Sequence, residues 1–372
     1  MMNPVHANAD PRLTMRSIIQ RIATGPELSK DISLDEARAG MRYVLEGRVD
    51  PVQAGIFLIA LRMKRETDDE NLGVLDAIRE QTLTAIAPVD EVVDLADPYD
   101  GYTRSLPASP FLPAVLAACG LPAVSHGVES VGPKYGVTHR QVLAACGLPV
   151  DLAPPEAAAR LGDPDIGWSY IDQRHFCPRL HALADFRSLI VKRPVITTVE
   201  TVTGPIRGRR RTHLISGYVH KPYPRIYALL ARHAGFDSAL IVRGVEGGVI
   251  PSLRQAGKAF YYHDRGPEQS VDLDPAELGI AQTLRAPPLP QELARGEDDD
   301  AAAPFDPVAA ARAAAAAGLA ALDGAPGPTR DGLVYAGALA LWHLRRADSL
   351  RAAADRVRSA IDSGAARARL GV

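Results

Sequence analysis

Residues 97–109 bring carboxylates, hydroxyls and a guanidinium close together. Carboxylates are the hard oxygen ligands that magnesium prefers, and a guanidinium is a forked donor that suits phosphate or carboxylate. Aromatic faces and a glycine turn complete a stretch that is typical of a ligand-binding loop. The sequence predicts that this loop lines a cleft through Asp97, Asp100, Gly101, Tyr102, Arg104 and Ser109.

A second candidate is the turn of residues 130–138, which leads into a helix with Thr138 as its predicted N-cap. Helix N-termini attract anions because their first N–H groups lack intrahelical partners. Lys134 and Arg140 add positive charge beside this N-terminus, with His139 between Thr138 and Arg140. These residues predict a phosphate or carboxylate site, although glycine turns before helices are also common without a ligand.

A third candidate is a basic cluster formed by Arg207, Arg209, Arg210 and Arg211. Such a cluster is either a solvated loop or a surface that contacts the phosphates of nucleic acid or of a phosphorylated partner. The sequence leaves both alternatives open.

Other site classes find no support. No P-loop, dinucleotide-binding, zincin or nucleophile-elbow motif occurs. Three cysteines are too few and too scattered for a disulfide framework, and His175, Cys177 and His181 lack the spacing of a zinc site.

The composition describes a globular protein of 372 residues, 47% of them hydrophobic, with a net charge of −2. This charge argues against a strongly basic nucleic-acid-binding chain, while a local basic patch stays possible. No apolar run reaches the roughly 20 residues of a membrane span, and the N-terminus does not resemble a signal peptide. We therefore expect a cytoplasmic protein that does not enter a membrane.

The elements that position these candidates begin with helices. Residues 1–13 are predicted to be a disordered tail, and residues 14–88 a helical domain. Ser33 and Glu36 have the spacing of a capping box, and Asp50 with Pro51 indicates the start of another helix.

After Pro88 short β-branched runs alternate with helical stretches, which predicts parallel strands joined by helices. The predicted strands are residues 92–95, 123–125, 195–202, 213–219 and 239–242. An acidic loop is expected over residues 295–304. The predicted fold class is α/β. It comprises a small N-terminal helical domain and a larger α/β domain, residues 89–372, with a mainly parallel sheet and flanking helices.

Seven runs of residues resemble the anthranilate phosphoribosyltransferase family. The most specific is Gln53–Thr67, which is similar to the family's Q-x-x-A-F-L-x-A-L-R-x-K-G-E-T. The others are Leu34–Gly47, Ser125–Gly127, Ile166–Trp168, Gly204–Pro205, Ala239–Gly247 and Ile361–Ala366.

The resemblance implies transfer of a phosphoribosyl group from phosphoribosyl pyrophosphate to an acceptor such as anthranilate. It also implies pyrophosphate and magnesium held between the two domains, and a segment near residues 165–190 that crosses to the helical domain. The family's homodimers pair through that domain. We expect the same of this chain through the apolar segments Met15–Thr24 and Asp50–Met63.

The residues depart from the family's pattern at its active-site motifs. The glycine-rich turn D-x-x-G-T-G-G-D-G reads Asp94–Gly101, with one glycine and with Pro98, which has no N–H to donate. Val249 and Ile250 stand at the family's acidic pair. Glu246 is the acidic residue that this segment keeps, and it is either a candidate metal ligand together with Asp97 and Asp100 or a hydrogen-bonded carboxylate at a strand end.

The acceptor side is kept in part. His126 and Gly127 match the family's loop, but Ser125 stands at its lysine. Arg187 falls where the family has an arginine that meets the acceptor carboxylate, although an interdomain or surface role explains it equally well.

Two hypotheses follow. The first is a pentosyltransferase-type enzyme with a degenerate phosphoribosyl pyrophosphate and magnesium site and an unknown acceptor, inactive on anthranilate. The second is a non-catalytic homodimer that binds nucleic acid or a phosphorylated ligand. The resemblance favours the first, and the altered motifs favour the second.

Overall fold

The computed structural model describes residues 10–25, 27–293 and 305–371. Its centre is a seven-stranded sheet in the order β4-β3-β2-β6-β7-β8-β9, with a separate parallel pair β1-β5. The strands are β1 (Ala85–Ile86), β2 (Glu91–Ala96), β3 (Ala123–Gly127), β4 (Trp168–Asp172), β5 (Ile206–Arg207), β6 (Arg211–Tyr218), β7 (Ser238–Arg243), β8 (Gly257–Tyr262) and β9 (Gln269–Leu273).

Five of the seven strands run parallel, and β8 and β9 continue the sheet antiparallel at one edge. Val93 pairs with Ala123 on one side and His213 on the other, so β2 lies in the middle of the parallel part. The prediction of a mainly parallel α/β sheet is confirmed. Its carboxyl edge, where β2, β3 and β7 end, carries most of the predicted cleft residues.

Four helices form the N-terminal unit: α1 (Pro11–Ile22), α2 (Leu34–Leu45), α3 (Pro51–Lys64) and α4 (Asp68–Glu80). Both predicted caps are present. The Ser33 hydroxyl accepts from the Glu36 N–H at 3.3 Å, and Asp50 accepts from the Val52 N–H at 2.8 Å. A Cβ on Gly73 would lie 2.3 Å from the Leu34 carbonyl oxygen, so α2 and α4 approach closely because this residue is glycine.

The predicted tail of residues 1–13 extends too far into the chain, because α1 already begins at Pro11. Asp10 caps α1, and the helix begins at Pro11, because proline suits the first helical position. Residues 1–9 lie outside the described residues, as does the predicted acidic loop from residue 295 to 304.

The remaining helices cover the sheet or connect its strands. They are α5 (Leu112–Ala118), α6 (His139–Ala145), α7 (Pro154–Leu161), α8 (Gln173–Phe176), α9 (Pro178–His181), α10 (Ala184–Ile190), α11 (Ile196–Val199), α12 (Tyr223–His233), α13 (Pro307–Leu322), α14 (Pro328–His343), α15 (Leu350–Asp362) and α16 (Ala365–Ala368). None of the helices in the described ranges combines the length and the apolar character that crossing a bilayer requires.

The predicted strand over residues 195–202 is wrong. The segment forms α11 and a short 3₁₀ turn, Glu200–Val202. Pro194 accepts from the Thr197 N–H and Val195 from the Thr198 N–H, which closes helical turns. β-branched residues favour strands only where a neighbouring strand can pair with them, and here α4 packs against the segment instead.

Two apolar cores lie on opposite faces of the sheet. Val93 and Leu95 point into the core beneath α5, α13 and α14, while Val92 and Ala96 point to the opposite face. The second core is continuous with the interior of the helical unit and includes Phe176 from the crossing segment. The crossing segment and the helical unit therefore share one core with the sheet.

Candidate functional site

Asp97 is the centre of a buried hydrogen-bond network just beyond the end of β2. Its Oδ2 accepts from the Tyr102 hydroxyl at 2.7 Å, from Ser109 Oγ at 2.5 Å and from His139 Nε2 at 2.8 Å. Its Oδ1 accepts from the Val249 N–H at 2.8 Å. Both carboxylate oxygens are therefore bound by protein donors from four separate positions of the chain.

The network sets the pKa values of its members. Burial opposes ionisation of Asp97, but the His139 ring and the two hydroxyl donors outweigh it and hold the pKa of Asp97 below its ordinary value. Burial, with the nearby Asp97 charge, raises the pKa of Tyr102 well above its ordinary value. Asp97 thus acts as an ionised acceptor at neutral pH, and Tyr102 as a donor.

Glu246 is the centre of a second network. Its carboxylate accepts from the Thr103 N–H at 2.9 Å, the Arg104 N–H at 3.1 Å and Ser105 Oγ at 2.8 Å. Lys134 Nζ lies 3.9 Å from Oε2. Two successive backbone N–H groups, a hydroxyl and an ammonium are the donors that commonly hold a bound anion. Here the anion is a side chain of the protein itself.

Asp100 completes the ion pairs of the loop. Arg193 donates to its Oδ2 at 2.7 Å and 3.1 Å, and Lys134 Nζ lies 3.6 Å from its Oδ1. Lys134 also donates to the carbonyls of Gly101 and Glu246, at 3.0 Å and 3.3 Å. Lys134 therefore ties the loop after β2 to the loop after β7.

Close backbone approaches leave little space between these loops. A Cβ on Gly101 would lie 2.6 Å from the Gly136 carbonyl carbon, and one on Gly248 would lie 1.7 Å from the Tyr102 hydroxyl. Gly101 also has a φ of 74°, which disfavours a side chain. The predicted turn at Gly101 is present, and it packs against protein.

His126 bridges two other buried groups. Its Nε2 donates to Asp94 Oδ1 at 2.8 Å, and its Nδ1 accepts from the Tyr99 hydroxyl at 2.5 Å. Burial raises the pKa of Tyr99 well above its ordinary value, so Tyr99 is the donor in this pair. Both ring nitrogens are used inside the protein, and Gly127 lies at the end of the same strand, where an added Cβ would lie 3.4 Å from the Tyr170 hydroxyl.

Arg187 forms a forked ion pair with Glu200. Both N···O distances are 2.7 Å, and the two side chains are 2% and 1% exposed. Glu200 also accepts from Gln173 Nε2 at 3.3 Å. Arg187 is therefore an interior residue that binds a carboxylate of its own chain, and the alternative of a surface arginine does not apply.

Arg140 is also paired within the protein. Its guanidinium lies 2.8 Å from Asp151 and 3.5 Å from Asp172, and it donates to the Val150 carbonyl at 2.9 Å. Thr138 is the N-cap of α6 as predicted. The three side chains expected to attract an anion at this N-terminus all bind carboxylates of the protein: Arg140 binds Asp151, Lys134 lies beside Asp100, and His139 binds Asp97.

The basic cluster divides into a half-buried arginine and three exposed arginines. The Arg207 guanidinium lies 4.2 Å from the centre of the Phe236 ring and donates to the Gly204 and Ala234 carbonyls, and burial lowers its pKa to about 10. Arg207 is therefore half-buried, and its guanidinium is bound by groups of the protein itself. Arg209, Arg210 and Arg211 are exposed at the amino end of β6, and Arg211 lies 3.4 Å from Asp264.

The predicted magnesium ligands do not form a metal site. Within the described residues no group of three or more histidine, cysteine, aspartate or glutamate side chains is arranged to hold a metal ion. The carboxylates of Asp97, Asp100 and Glu246 are bound by protein donors, and Val249 and Ile250 offer no oxygen ligand. The residues at this edge of the sheet thus do not fit magnesium, and Glu246 is a hydrogen-bonded carboxylate.

Sequence analysis missed several partners in these networks. Glu200 lies in the segment that was predicted to be a strand, and its role as a partner was not predicted. The available signal was an acidic residue inside an apolar run, which indicates a buried cationic partner. His139 was considered only as a charge near a helix N-terminus. Arg193 carries no local pattern that would predict its contact with Asp100.

Comparison with known proteins identifies the family of this chain. Residues 16–82 match the helical bundle domain of the glycosyl transferase family, and residues 104–367 match its α/β domain. The chain belongs to glycosyl transferase family 3. The match to the α/β domain alone covers more than half of the chain, so the family assignment stands on both of its domains.

Members of glycosyl transferase family 3 with similar sequences carry the name anthranilate phosphoribosyltransferase. The one from Rhodopseudomonas palustris (strain BisA53) is 29% identical over 360 residues, which is 96% of each chain. The one from Azorhizobium caulinodans is 29% identical and covers 95% of this chain and 94% of its own.

Solved family structures share the fold. Anthranilate phosphoribosyltransferase from Thermus thermophilus superposes with a TM-score of 0.68 at 20% identity, covering 96% of this chain and 97% of its own. The enzyme from Saccharomyces cerevisiae in complex with phosphoribosyl pyrophosphate and magnesium gives a TM-score of 0.71 at 16% identity, covering 96% of both chains.

Proposed function

We propose that this chain is a non-catalytic, homodimeric member of glycosyl transferase family 3 with a degenerate phosphoribosyl pyrophosphate and magnesium site. The observation that carries the proposal is the Arg187–Glu200 pair. By the family resemblance this arginine would receive the acceptor carboxylate, and it already holds a carboxylate with two hydrogen bonds in a buried setting.

The donor side supports the same conclusion. The N–H groups of Thr103 and Arg104 and the Ser105 hydroxyl hold Glu246, and Pro98 has no N–H for a phosphate. Each missing charge-assisted contact costs on the order of 1.5–3 kcal/mol. Several together exceed about 5 kcal/mol, which is a rate factor of roughly 10³ to 10⁴.

The homodimer is supported by the exposed face of α3. Val52 is 69% exposed, Ile56 37% and Met63 71%, and Ile59 is half-buried between them. Their spacing of three and four residues puts them on one stripe of the helix. Ile18, Ile22 and Phe57, which belong to the two segments expected to pair, are instead buried in the protomer's own core.

An assay of pyrophosphate release tests the proposal. The full-length protein with phosphoribosyl pyrophosphate, magnesium and anthranilate should give no anthranilate-dependent release. The homologous enzyme from Rhodopseudomonas palustris, in the same buffer, is the positive control. Anthranilate-dependent turnover near one per second by this protein would overturn the proposal, and it would equally contradict the alternative of a pentosyltransferase that is inactive on anthranilate.

A further inference from the structure

A polar cavity lies at the amino edge of the sheet, opposite to the edge that carries Asp97 and Glu246. It has a volume of ≈ 110 Å³. A single water needs only about 10–15 Å³ of cavity volume, so a larger group fits. Its walls include the start of β6, the start of β7, the residues after β8 and the end of α14. We name it the amino-edge cavity and define it by His213, Ser238, His263, His343, Arg345 and Arg346.

Two buried histidines in the amino-edge cavity each have a ring nitrogen without a hydrogen bond, and that of His213 lies 3.9 Å from a Glu91 carboxylate oxygen. His213 is 4% exposed and His343 is 1% exposed. Within the described part of the chain, His213 Nε2 and His343 Nδ1 make no hydrogen bond. A buried polar atom without a partner costs about 1–3 kcal/mol, which a bound ligand would recover.

The other two ring nitrogens are joined through one hydroxyl. Ser238 Oγ lies 2.8 Å from His213 Nδ1 and 2.9 Å from His343 Nε2. A hydroxyl carries one hydrogen, so Ser238 donates to one ring and accepts from the other. A neutral imidazole has one N–H and one bare nitrogen. Of the two unpartnered nitrogens, one is therefore always a donor and the other an acceptor.

Burial keeps both rings neutral. It lowers the pKa of His213 and takes the pKa of His343 well below its ordinary value, with His263, His213 and Arg345 adding to the effect on His343. His263 stacks on His343 with ring centres 4.6 Å apart, and its pKa is lowered as well. The imidazoles thus contribute hydrogen bonds rather than charge.

The amino-edge cavity is also lined by three carboxylates, Glu91, Asp237 and Asp264, which equal its three arginines in number, so the net charge of the lining is zero. Glu91 pairs with Arg346 and Asp264 with Arg211, while Asp237 pairs with Arg265 from outside the lining. Arg345 lines the cavity and forms no ion pair with any residue that the structure describes. The Arg345 guanidinium is therefore the group of the lining that can pair with an anion.

We propose that the amino-edge cavity binds a phosphate group. Phosphate near neutral pH carries both a P–OH donor and P–O⁻ acceptors, which matches one ring acceptor, one ring donor and the Arg345 guanidinium. Sulfate has the same shape and charge range but no hydroxyl at this pH, so it lacks the donor. Free phosphate and the phosphate of a monoester share this chemistry.

Calorimetric titration of the full-length protein with inorganic phosphate, sulfate and ribose 5-phosphate tests the proposal. Phosphate should bind more tightly than sulfate. Arg345→Ala should weaken phosphate binding about tenfold or more, since it removes a charge-assisted contact. Arg312→Ala, an exposed change on α13, is the matched control and should bind as the parent does. Ser238→Ala frees the two rings from each other and should reduce the preference for phosphate over sulfate.

The outcomes separate the sources of the phosphate group. If ribose 5-phosphate binds more tightly than inorganic phosphate, the ligand of the cavity is a phosphorylated metabolite. If inorganic phosphate binds more tightly, the ligand is the free ion. No heat with either ligand at millimolar concentration would overturn the proposal. So would equal affinity for sulfate, or equal phosphate binding by Arg345→Ala and Arg312→Ala. The result is independent of turnover at the carboxyl edge, because no residue is shared between the two sites.

Discussion

Arg187 and Glu200 bind each other through two parallel N–H···O hydrogen bonds of 2.7 Å inside the protein, where both side chains are at least 98% buried. The pair joins α10 to the 3₁₀ turn that follows α11. It joins the end of the segment that crosses to the helical unit to the turn at Glu200–Val202, and it satisfies the guanidinium without a ligand.

Glu200→Gln should strongly destabilise the protein. The change leaves the Arg187 charge buried without its counter-charge, which costs about 3–5 kcal/mol. Asp68→Asn breaks an exposed forked pair with Arg225 of the same geometry and should cost about 1 kcal/mol or less. Urea unfolding measures both free energies of unfolding, and similar losses for the two variants would contradict the interior role of Arg187.

The double variant Arg187→Met with Glu200→Leu separates charge from packing. Replacing both partners with apolar residues removes the uncompensated charge, and such replacements are often neutral or stabilising. The double variant should therefore be more stable than Glu200→Gln alone in the same urea titration. A further loss of stability would show that the pair matters through contacts other than its charges.

Glu246→Ala should loosen the loop after β2. The Thr103 and Arg104 N–H groups lose their acceptor, so their hydrogen exchange should become faster by about tenfold or more, the equivalent of roughly 1.4 kcal/mol. Glu277→Ala, at an exposed glutamate, is the control. Exchange measured by mass spectrometry on peptides that cover residues 100–106 gives the answer, and unchanged exchange in Glu246→Ala would contradict this role of Glu246.

The stability of the protein should fall as the pH drops below about 6.5. His213, His263 and His343 have lowered pKa values in the folded state, with burial as the largest cause. Below the ordinary histidine pKa the unfolded chain binds protons that the folded chain does not, so unfolding is favoured by about 1.4 kcal/mol per pH unit for each histidine. Above that pH the histidines are neutral in both states, so their contribution to the free energy of unfolding is fully present.

Urea titrations between pH 5 and pH 7.5, both within about one and a half units of the ordinary histidine pKa, measure this slope. His343→Gln should reduce the slope of the free energy of unfolding against pH by the contribution of one histidine. His220→Gln, at an exposed position, controls for the loss of a histidine elsewhere. The same slope in the parent and in His343→Gln would rule out the buried neutral ring as its source.

Charge on the exposed stripe of α3 should dissociate the proposed homodimer. Val52→Glu with Ile56→Glu places two carboxylates where an apolar interface is expected, while each protomer stays folded because both positions are solvent-exposed. Light scattering after size exclusion should give a dimer for the parent and a monomer for the variant. Leu284→Glu, at a position 41% exposed on the α/β domain, should remain a dimer. A monomeric parent at micromolar concentration would refute the dimer.

Local sequence patterns predicted the caps and most of the sheet. Ser33 with Glu36 and Asp50 with Pro51 begin helices where expected, because caps depend on residues a few positions apart. Four of the five predicted strands are present, because their β-branched runs pair in a buried parallel sheet. The family's two domains could likewise be expected from continuous runs such as Gln53–Thr67.

Only the tertiary structure decided what the site residues bind. Glu246 meets Thr103 from 143 positions away in sequence, and Asp97 meets His139 from 42. A charged residue has the same local pattern whether it faces a ligand, a solvent or a counter-charge. Its partner is set by how strands and helices pack, and the low dielectric of the interior then makes that one contact decisive. For this reason the sequence identified Arg187 and Glu246 as important residues, while the fold determined that their partners are Glu200 and the loop after β2.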